Sequence, residues 1–264
     1  MSIGVMYQGE SVFEDHLGFA DLEAGKVANS STRYPLGSLT KAFVATTIAQ
    51  LVNEGLLRWD EPLRTYIPEL DFAADSSLKG RLTLIDLLSH RTGLARLDPL
   101  WLGANGEVNI PNYRTVAMCN ELPRVHPLRF RWLYNNWMYA LAGCVVERRT
   151  RTPFAKVLAS RVLDQVGLTE TTLIEAEIPP HSTALPYLIL DDKSPSRGAD
   201  LGLTDGSLMA TAGGIRSTVH DMLKWGHVML SPYRDEKSVV AGLDTVLSGH
   251  SFLSKSHALT NCTL

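Results

Sequence analysis

Apolar and polar positions partly alternate over Ile3 to Tyr7 and again over Ser11 to Phe19, with Gln8-Gly9-Glu10 between them. This is the pattern of a β-hairpin with a small loop. Asp21 to Thr32 reads as a polar connection. Ala42 to Val52 then changes the period: it is apolar on nearly every face and contains no Gly or Pro, which predicts a buried helix. Asn53-Glu54-Gly55 should end it, with Gly55 in the left-handed cap conformation. Further helices are predicted over Leu82 to Ser89 (Thr83 as N-cap, Gly93 beyond the end), Trp137 to Arg149, Pro153 to Val166 (Pro153 in the first turn) and Thr218 to Leu230. In the last, Thr218 and Asp221 occupy the positions of a cap and a first-turn acid. Asp191 to Gly206, rich in Asp, Gly, Ser and Pro, reads as a long surface loop. No repeat or linker divides the chain, so residues 1–264 are expected to form a single domain of α+β class. Two strands do not make a stable sheet, and such a fold needs more strands than the pattern supplies.

Composition narrows the function. The 264 residues are 45% hydrophobic and 20% charged, which excludes disorder as the dominant state. Against 28 Asp plus Glu stand 25 Lys plus Arg, a net charge of −3 with no long run of either sign. Nucleic acid and anionic membrane are therefore not expected partners. Cys119, Cys144 and Cys262 show no C-x-x-C spacing, which argues for reduced thiols over a disulfide framework or a zinc site. The eight histidines contain no H-x-x-x-H or H-E-x-x-H pair, so neither a metal nor another cofactor is expected. Met1 to Glu10 lacks the pattern of a signal peptide and no apolar run approaches the ~18 residues of a membrane span; the expected location is cytoplasmic.

The candidate chemistry begins at Ser38-Leu39-Thr40-Lys41, an S-x-x-K at the entrance to the buried helix. At i and i+3 on one turn, a hydroxyl and an amine project from the same face. The helix N-terminus offers N–H groups to an oxyanion, and burial lowers the pKa of a lysine so that it can act as a base. Spacing alone is weak, because 20 Ser and 8 Lys in this chain give about 0.6 chance matches. Ser76-Ser77-Leu78-Lys79 is indeed a second match, but it lies in a polar stretch without a buried helix.

From Arg33 through Ser38-Leu39-Thr40-Lys41 to Leu57, with Pro68-Glu69-Leu70 and Leu82 to Leu94 (including Leu87-Leu88-Ser89-His90-Arg91-Thr92-Gly93-Leu94), the chain resembles the serine β-lactamase and penicillin-binding protein superfamily. It looks most like the branch with class C β-lactamases, D-alanyl-D-alanine carboxypeptidases, esterases and polyketide transesterases. The resemblance implies a β-lactamase/transpeptidase-like fold, an antiparallel sheet with a helical domain. It also points to the Y-x-N element Tyr134-Asn135-Asn136: Tyr134 would relay protons between Ser38, Lys41 and the leaving group, and Asn136 would orient Lys41 and the substrate. Ser38, Lys41 and Tyr134 are thus the expected catalytic residues and Asn136 the expected substrate-binding one. Ala212-Gly213-Gly214-Ile215 is also family-like; with no reactive side chain it reads as a tight turn or close backbone approach. His90 reads as a helix-end histidine with a packing role.

The superfamily's third motif, K-[ST]-G or H-x-G, does not follow Gly214. Lys237-Ser238-Val239, Lys255-Ser256-His257 and His250-Ser251-Phe252 lack the glycine, and His16-Leu17-Gly18 precedes the serine. The C-terminal strands of the family's sheet and the helix that precedes its first strand are expected to be missing, so that the domain is incomplete at both ends, with an incomplete cleft, low activity and uncovered apolar surface on the Ala42 to Val52 helix. The expected function is a serine acyl-enzyme hydrolase or acyltransferase. It would act on a small-molecule ester, lactam or amide, with a possible acyl acceptor or carrier-bound acyl donor, in small-molecule or secondary metabolism. The alternative is a catalytically weak or inactive relative with a binding or assembly role.

Overall fold

A computed structural model describes residues 1–72, 75–103, 106–108, 110–234, 236–252 and 261–262. The chain opens in the expected hairpin, β1 (Ser2–Tyr7) against β2 (Glu10–His16). Gln8 and Gly9, both at positive φ, make a two-residue turn whose twist suits the strands. Phe19 belongs to a separate pairing, β3 (Phe19–Asp21) with β4 (Lys26–Val27), inside what the pattern reads as a polar connection. β5 (Tyr34–Pro35) leads through a 3-10 turn, Gly37–Leu39, into α1 (Thr40–Asn53).

Helix α1 is the centre of the molecule. Phe43, Val44, Ala45, Ile48 and Leu51 are each 0% exposed, which overturns the expectation of uncovered apolar surface on this helix. Gly55 ends it in the left-handed conformation, its N–H donating to Val52 O. α2 (Leu84–Leu88) starts from a capping box between Thr83 and Asp86 and stops sooner than expected. His90, not Gly93, makes the first left-handed step after it, at φ 56°. α3 (Thr115–Asn120) packs on α4 (Asn136–Thr150), whose N-cap is Asn135. The predicted helix over 153–166 is α5 (Phe154–Leu158), a π-helical turn over Ala159–Leu163, and α6 (Asp164–Val166), with Pro153 outside as N-cap.

The Asp191 to Gly206 stretch is not simply a loop. β6 (Tyr187–Ile189) pairs with β7 (Pro195–Arg197) across a turn in which Asp192 accepts from the Ser194 N–H and hydroxyl. α7 (Ala210–Gly213) and β8 (Arg216–Ser217) follow, β8 pairing with β5. α8 (Val219–Leu230) has Thr218 as its cap and Asp221 in its first turn, as the pattern predicts. α9 (Leu243–Leu247) and the pair β9 (Ser251–Phe252) and β10 (Asn261–Cys262) close the described chain.

Helices α4, α5, α7 and α9 surround α1, and Trp225 of α8 stacks on Phe43 with ring centroids 4.1 Å apart. The first hairpin lies on α8, where a Cβ on Gly4 would meet Leu223 at 2.8 Å. Ile3, Val5 and Phe13 face solvent from the other side of that hairpin. The architecture is α+β: a helical mass around one buried helix, with small antiparallel sheets, two-stranded among the described residues.

Candidate active site

Two short pairings fix the turn that carries Ser38. β5 lies against β8, and the Leu36 N–H donates to Ile215 O at 2.8 Å. Below the turn, the Ile215 N–H donates to Thr40 Oγ1. Gly37, at φ 53°, supplies the left-handed step, and Ser38 is exposed at the head of α1. One turn further, Lys41 is 6% exposed. Its Nζ donates to Ala212 O at 2.7 Å, Asn136 Oδ1 at 2.9 Å and Ser38 Oγ at 3.2 Å. The rings of Tyr134 and Tyr139 flank it with centroids 4.9 and 5.2 Å away. Burial pushes its pKa down to about 7, against the opposing pull of the Asp98 carboxylate. An amine so placed is partly neutral at physiological pH and can accept a proton.

Tyr134 Oη lies 2.5 Å from Ser38 Oγ. Burial raises its pKa, with the Ser38 hydrogen bond working in the opposite direction. The phenol is held by His90: the rings are 4.5 Å apart, the Leu133 N–H donates to His90 O, and the Asn135 N–H donates to His90 Nδ1 at 3.1 Å. Burial, with help from the Lys41 and Arg96 charges, drives the His90 pKa to about 3. Its Nδ1 is therefore a standing acceptor. The histidine packs, as expected, and also pins both neighbours of Tyr134.

The four expected site residues come together in one hydrogen-bonded cluster. Sequence reasoning missed two members. Ala212 contributes only its carbonyl, so the glycine-containing stretch has a polar role beside its close packing; that packing is real, since a Cβ on Gly214 would sit 2.7 Å from Leu173 Cδ1. Asp98 accepts from Asn136 Nδ2 at 3.1 Å; within Leu97-Asp98-Pro99 it reads only as a turn residue. The second S-x-x-K stays apart: Ser76–Leu78 is a 3-10 turn and Lys79 pairs with Asp71 at 2.6 Å.

The possible third-motif stretches among the described residues find their hydrogen-bond partners elsewhere. His16 bonds Ser2 Oγ in the first hairpin, Ser238 Oγ accepts from the Val240 N–H, and Ser251 Oγ donates to Ser89 O at the end of α2. Lys255-Ser256-His257 lies outside the described residues. Two cavities have similar size. One, about 510 Å³, is lined by Gly143, Cys144, Glu147 and Phe154 further along α4 and holds none of the cluster's side chains. The other, about 500 Å³, is bordered by Gly37 and Gly213, the chain neighbours of Ser38 and Ala212, and walled by Phe19, Tyr34, Leu185 and Leu203; it too holds none of the cluster's side chains.

The arrangement of a serine at a helix head, a buried lysine one turn on and a tyrosine against the serine is that of the class C-related serine β-lactamase and penicillin-binding protein superfamily. The chain belongs to the Beta-lactamase family, whose model matches residues 1–256. It is 25% identical over 230 residues to unguisins hydrolase ungD of Aspergillus violaceofuscus, covering 84% of this chain and 41% of that protein. It is 29% identical over 198 residues to esterase EstB of Burkholderia gladioli, covering 69% and 48%. The chain thus spans about half the length of these relatives. Among solved structures, the octameric penicillin-binding protein homologue from Pyrococcus abyssi superposes with a TM-score of 0.80 at 20% identity, over 97% of this chain and 57% of that one. A penicillin-binding protein from Bacillus halodurans gives 0.73 at 27% identity, over 92% and 72%.

Proposed function

We propose that the protein is a serine acyl-enzyme hydrolase or acyltransferase acting on a small-molecule ester, lactam or amide. The observation that carries this reading is the Lys41 amine, buried, depressed to about 7 and bonded to Ser38 and Asn136. Neutral Lys41, directly or through Tyr134, takes the Ser38 proton as Oγ attacks the carbonyl carbon. The Ser38 N–H at the head of α1 is the natural donor to the oxyanion. The tetrahedral intermediate collapses, the leaving alcohol or amine takes its proton back through Tyr134, and an acyl-Ser38 ester remains. Water, or another hydroxyl or amine, then gives up a proton by the same route and releases the acyl group.

An ester with an apolar portion suits the cavity beside Gly37, and both the Aspergillus and the Burkholderia relatives bear the names of hydrolases. We place the protein in a reducing compartment such as the cytoplasm, a reading that rests on the sequence, whose cysteines show no C-x-x-C spacing. The alternative reading is a catalytically silent relative with a binding role.

A fluorescent serine-reactive phosphonate and a chromogenic ester separate the two. The hydrolase reading expects turnover and an adduct that peptide mapping places on Ser38 and that Ser38→Ala abolishes. It also expects Lys41→Ala and Tyr134→Phe each to slow labelling by orders of magnitude, with the double variant little worse than the more severe single one. An adduct on Ser76, or none on any residue, contradicts it.

A further inference from the structure

We propose that Asp98 is a positioning residue of this site, holding the Asn136 amide in the one orientation that turns its oxygen toward Lys41. The proposal rests on the acyl-enzyme reading above. A side-chain amide is nearly symmetric in shape and opposite in chemistry at its two ends, so whether Lys41 meets an acceptor or a donor depends on what holds the far end. Asp98 settles that choice. Ionised, it only accepts, and its Oδ1 lies 3.1 Å from Asn136 Nδ2; Asn136 Oδ1 is left to accept from Lys41 Nζ at 2.9 Å.

Asp98 is itself held by two further donors. Trp101 Nε1 donates to Oδ1 at 3.1 Å and Arg96 Nη2 to Oδ2 at 3.0 Å. Leu97, between Arg96 and Asp98, is at φ 38° and ψ 41°, a conformation that a branched residue adopts only when its surroundings impose it. Those surroundings are the Y-x-N segment. Asn135 Nδ2 donates to Leu94 O and Ala95 O, and Trp137 Nε1 to Arg96 O at 2.8 Å. The loop over 94–98 therefore grips residues 135, 136 and 137 by three different side chains, and the Asp98–Asn136 contact is the one that reaches Lys41. Arg96 adds its guanidinium over the Tyr134 ring, 5.7 Å from the centroid.

Asp98 also bears charge. The groups around Lys41 are Ser38 on its own turn, Asn136 and Tyr139 from α4, Tyr134 before α4, the Ala212 carbonyl from α7, His90 after α2, and Arg96 and Asp98 from the loop. His90 is neutral, leaving Asp98 as the acid that favours the protonated lysine. The isosteric change Asp98→Asn would remove that pull, lowering the pH at which Lys41 gives up its proton, and would offer Asn136 a partner that can donate or accept.

The test is Asp98→Asn in the full chain, with phosphonate labelling of Ser38 followed from pH 5 to 9. The plateau rate should fall about tenfold or more, and the limb that rises with pH should move to lower pH by roughly one unit. A ¹³C titration of labelled lysine, with the Lys41 signal assigned through Lys41→Arg, should show the same shift. A plateau within twofold of the parent, or an unmoved limb and Lys41 signal, overturns the proposal. Should Asp98→Asn not fold, Asp98→Glu decides the point, because it keeps the charge but moves the carboxylate by one methylene. It should lower the plateau and leave the limb in place, and an unchanged plateau overturns the assignment. A parent protein that never labels contradicts the acyl-enzyme reading, while the lysine titration still tests Asp98 directly.

Discussion

Lys41 concentrates the chemistry of the molecule in one atom. Its amine meets three oxygens and two aromatic faces in a place where water is nearly excluded, and desolvation acts on the ammonium far more than on the neutral amine. The sign of the pH effect follows. If neutral Lys41 accepts the Ser38 proton, acylation is slow below pH 7, rises through about 7 as the amine loses its proton, and levels off above it. Tyr134, pushed upward by burial, stays protonated across that range. Phosphonate labelling between pH 5 and 9 should therefore show a single rising limb centred near 7. Lys41→Arg, which cannot deprotonate, should abolish the limb and slow labelling by about 10²-fold or more. A limb surviving in that variant would assign the titration to another group.

Elements hold these atoms in place through turns whose demands are local and severe. Gly93 shows how severe. At φ 77° it sits where a Cβ would lie 2.1 Å from His126 O, and its own carbonyl accepts from the Val125 and His126 N–H groups. Gly55 has nearly the same φ, but a Cβ there would meet nothing within 4 Å. Gly93→Ala should thus destabilise the fold by about 3 kcal/mol or more, through strain and displaced backbone together, and Gly55→Ala by about 1 kcal/mol through strain alone. Urea unfolding of the two variants measures the difference; equal losses would mean that the close approach at Gly93 relaxes freely. What sequence could show divides along the same line. Thr83, Thr218 and Gly55 were legible because a cap or a stop depends on residues within one turn. Ser38 and Lys41 were legible because their partnership is one turn long. Asp98 and Asn136 are 38 residues apart, and no local pattern joins them. Ala212 acts through a backbone oxygen that every residue possesses, and the β6–β7 hairpin is made by Asp192 and Ser194 in a stretch whose composition is that of any loop.

Across the molecule, buried ionisable groups tie the region after α2 to the rest of the fold. Asp86, 0% exposed, accepts from Arg91 Nε and from Arg129 Nε and Nη2 while closing the capping box with Thr83. Burial alone would raise its pKa, but the Arg129 and Arg91 hydrogen bonds outweigh it and the net shift is downward. His90, four residues on, is held neutral with a pKa of about 3. Both shifts carry the same sign in stability. The unfolded chain protonates histidine near 6.5 and the folded one near 3, so the unfolded state binds more protons in that interval and stability falls as pH drops from about 6.5 toward 3. The full span corresponds to about 5 kcal/mol. Asp86 adds to the loss only below the ordinary carboxylate range, near pH 4. Melting temperature should accordingly decline from pH 6.5 downward, before carboxylates titrate, and labelling of Ser38 should weaken with it because His90 pins both neighbours of Tyr134. His90→Asn, whose amide oxygen can still accept the Asn135 N–H and which tolerates the left-handed backbone, should be less stable at pH 7 but lose little between pH 6.5 and 4.5. A parent whose melting temperature is flat over that interval, or a variant that declines as steeply, would place the acid sensitivity elsewhere.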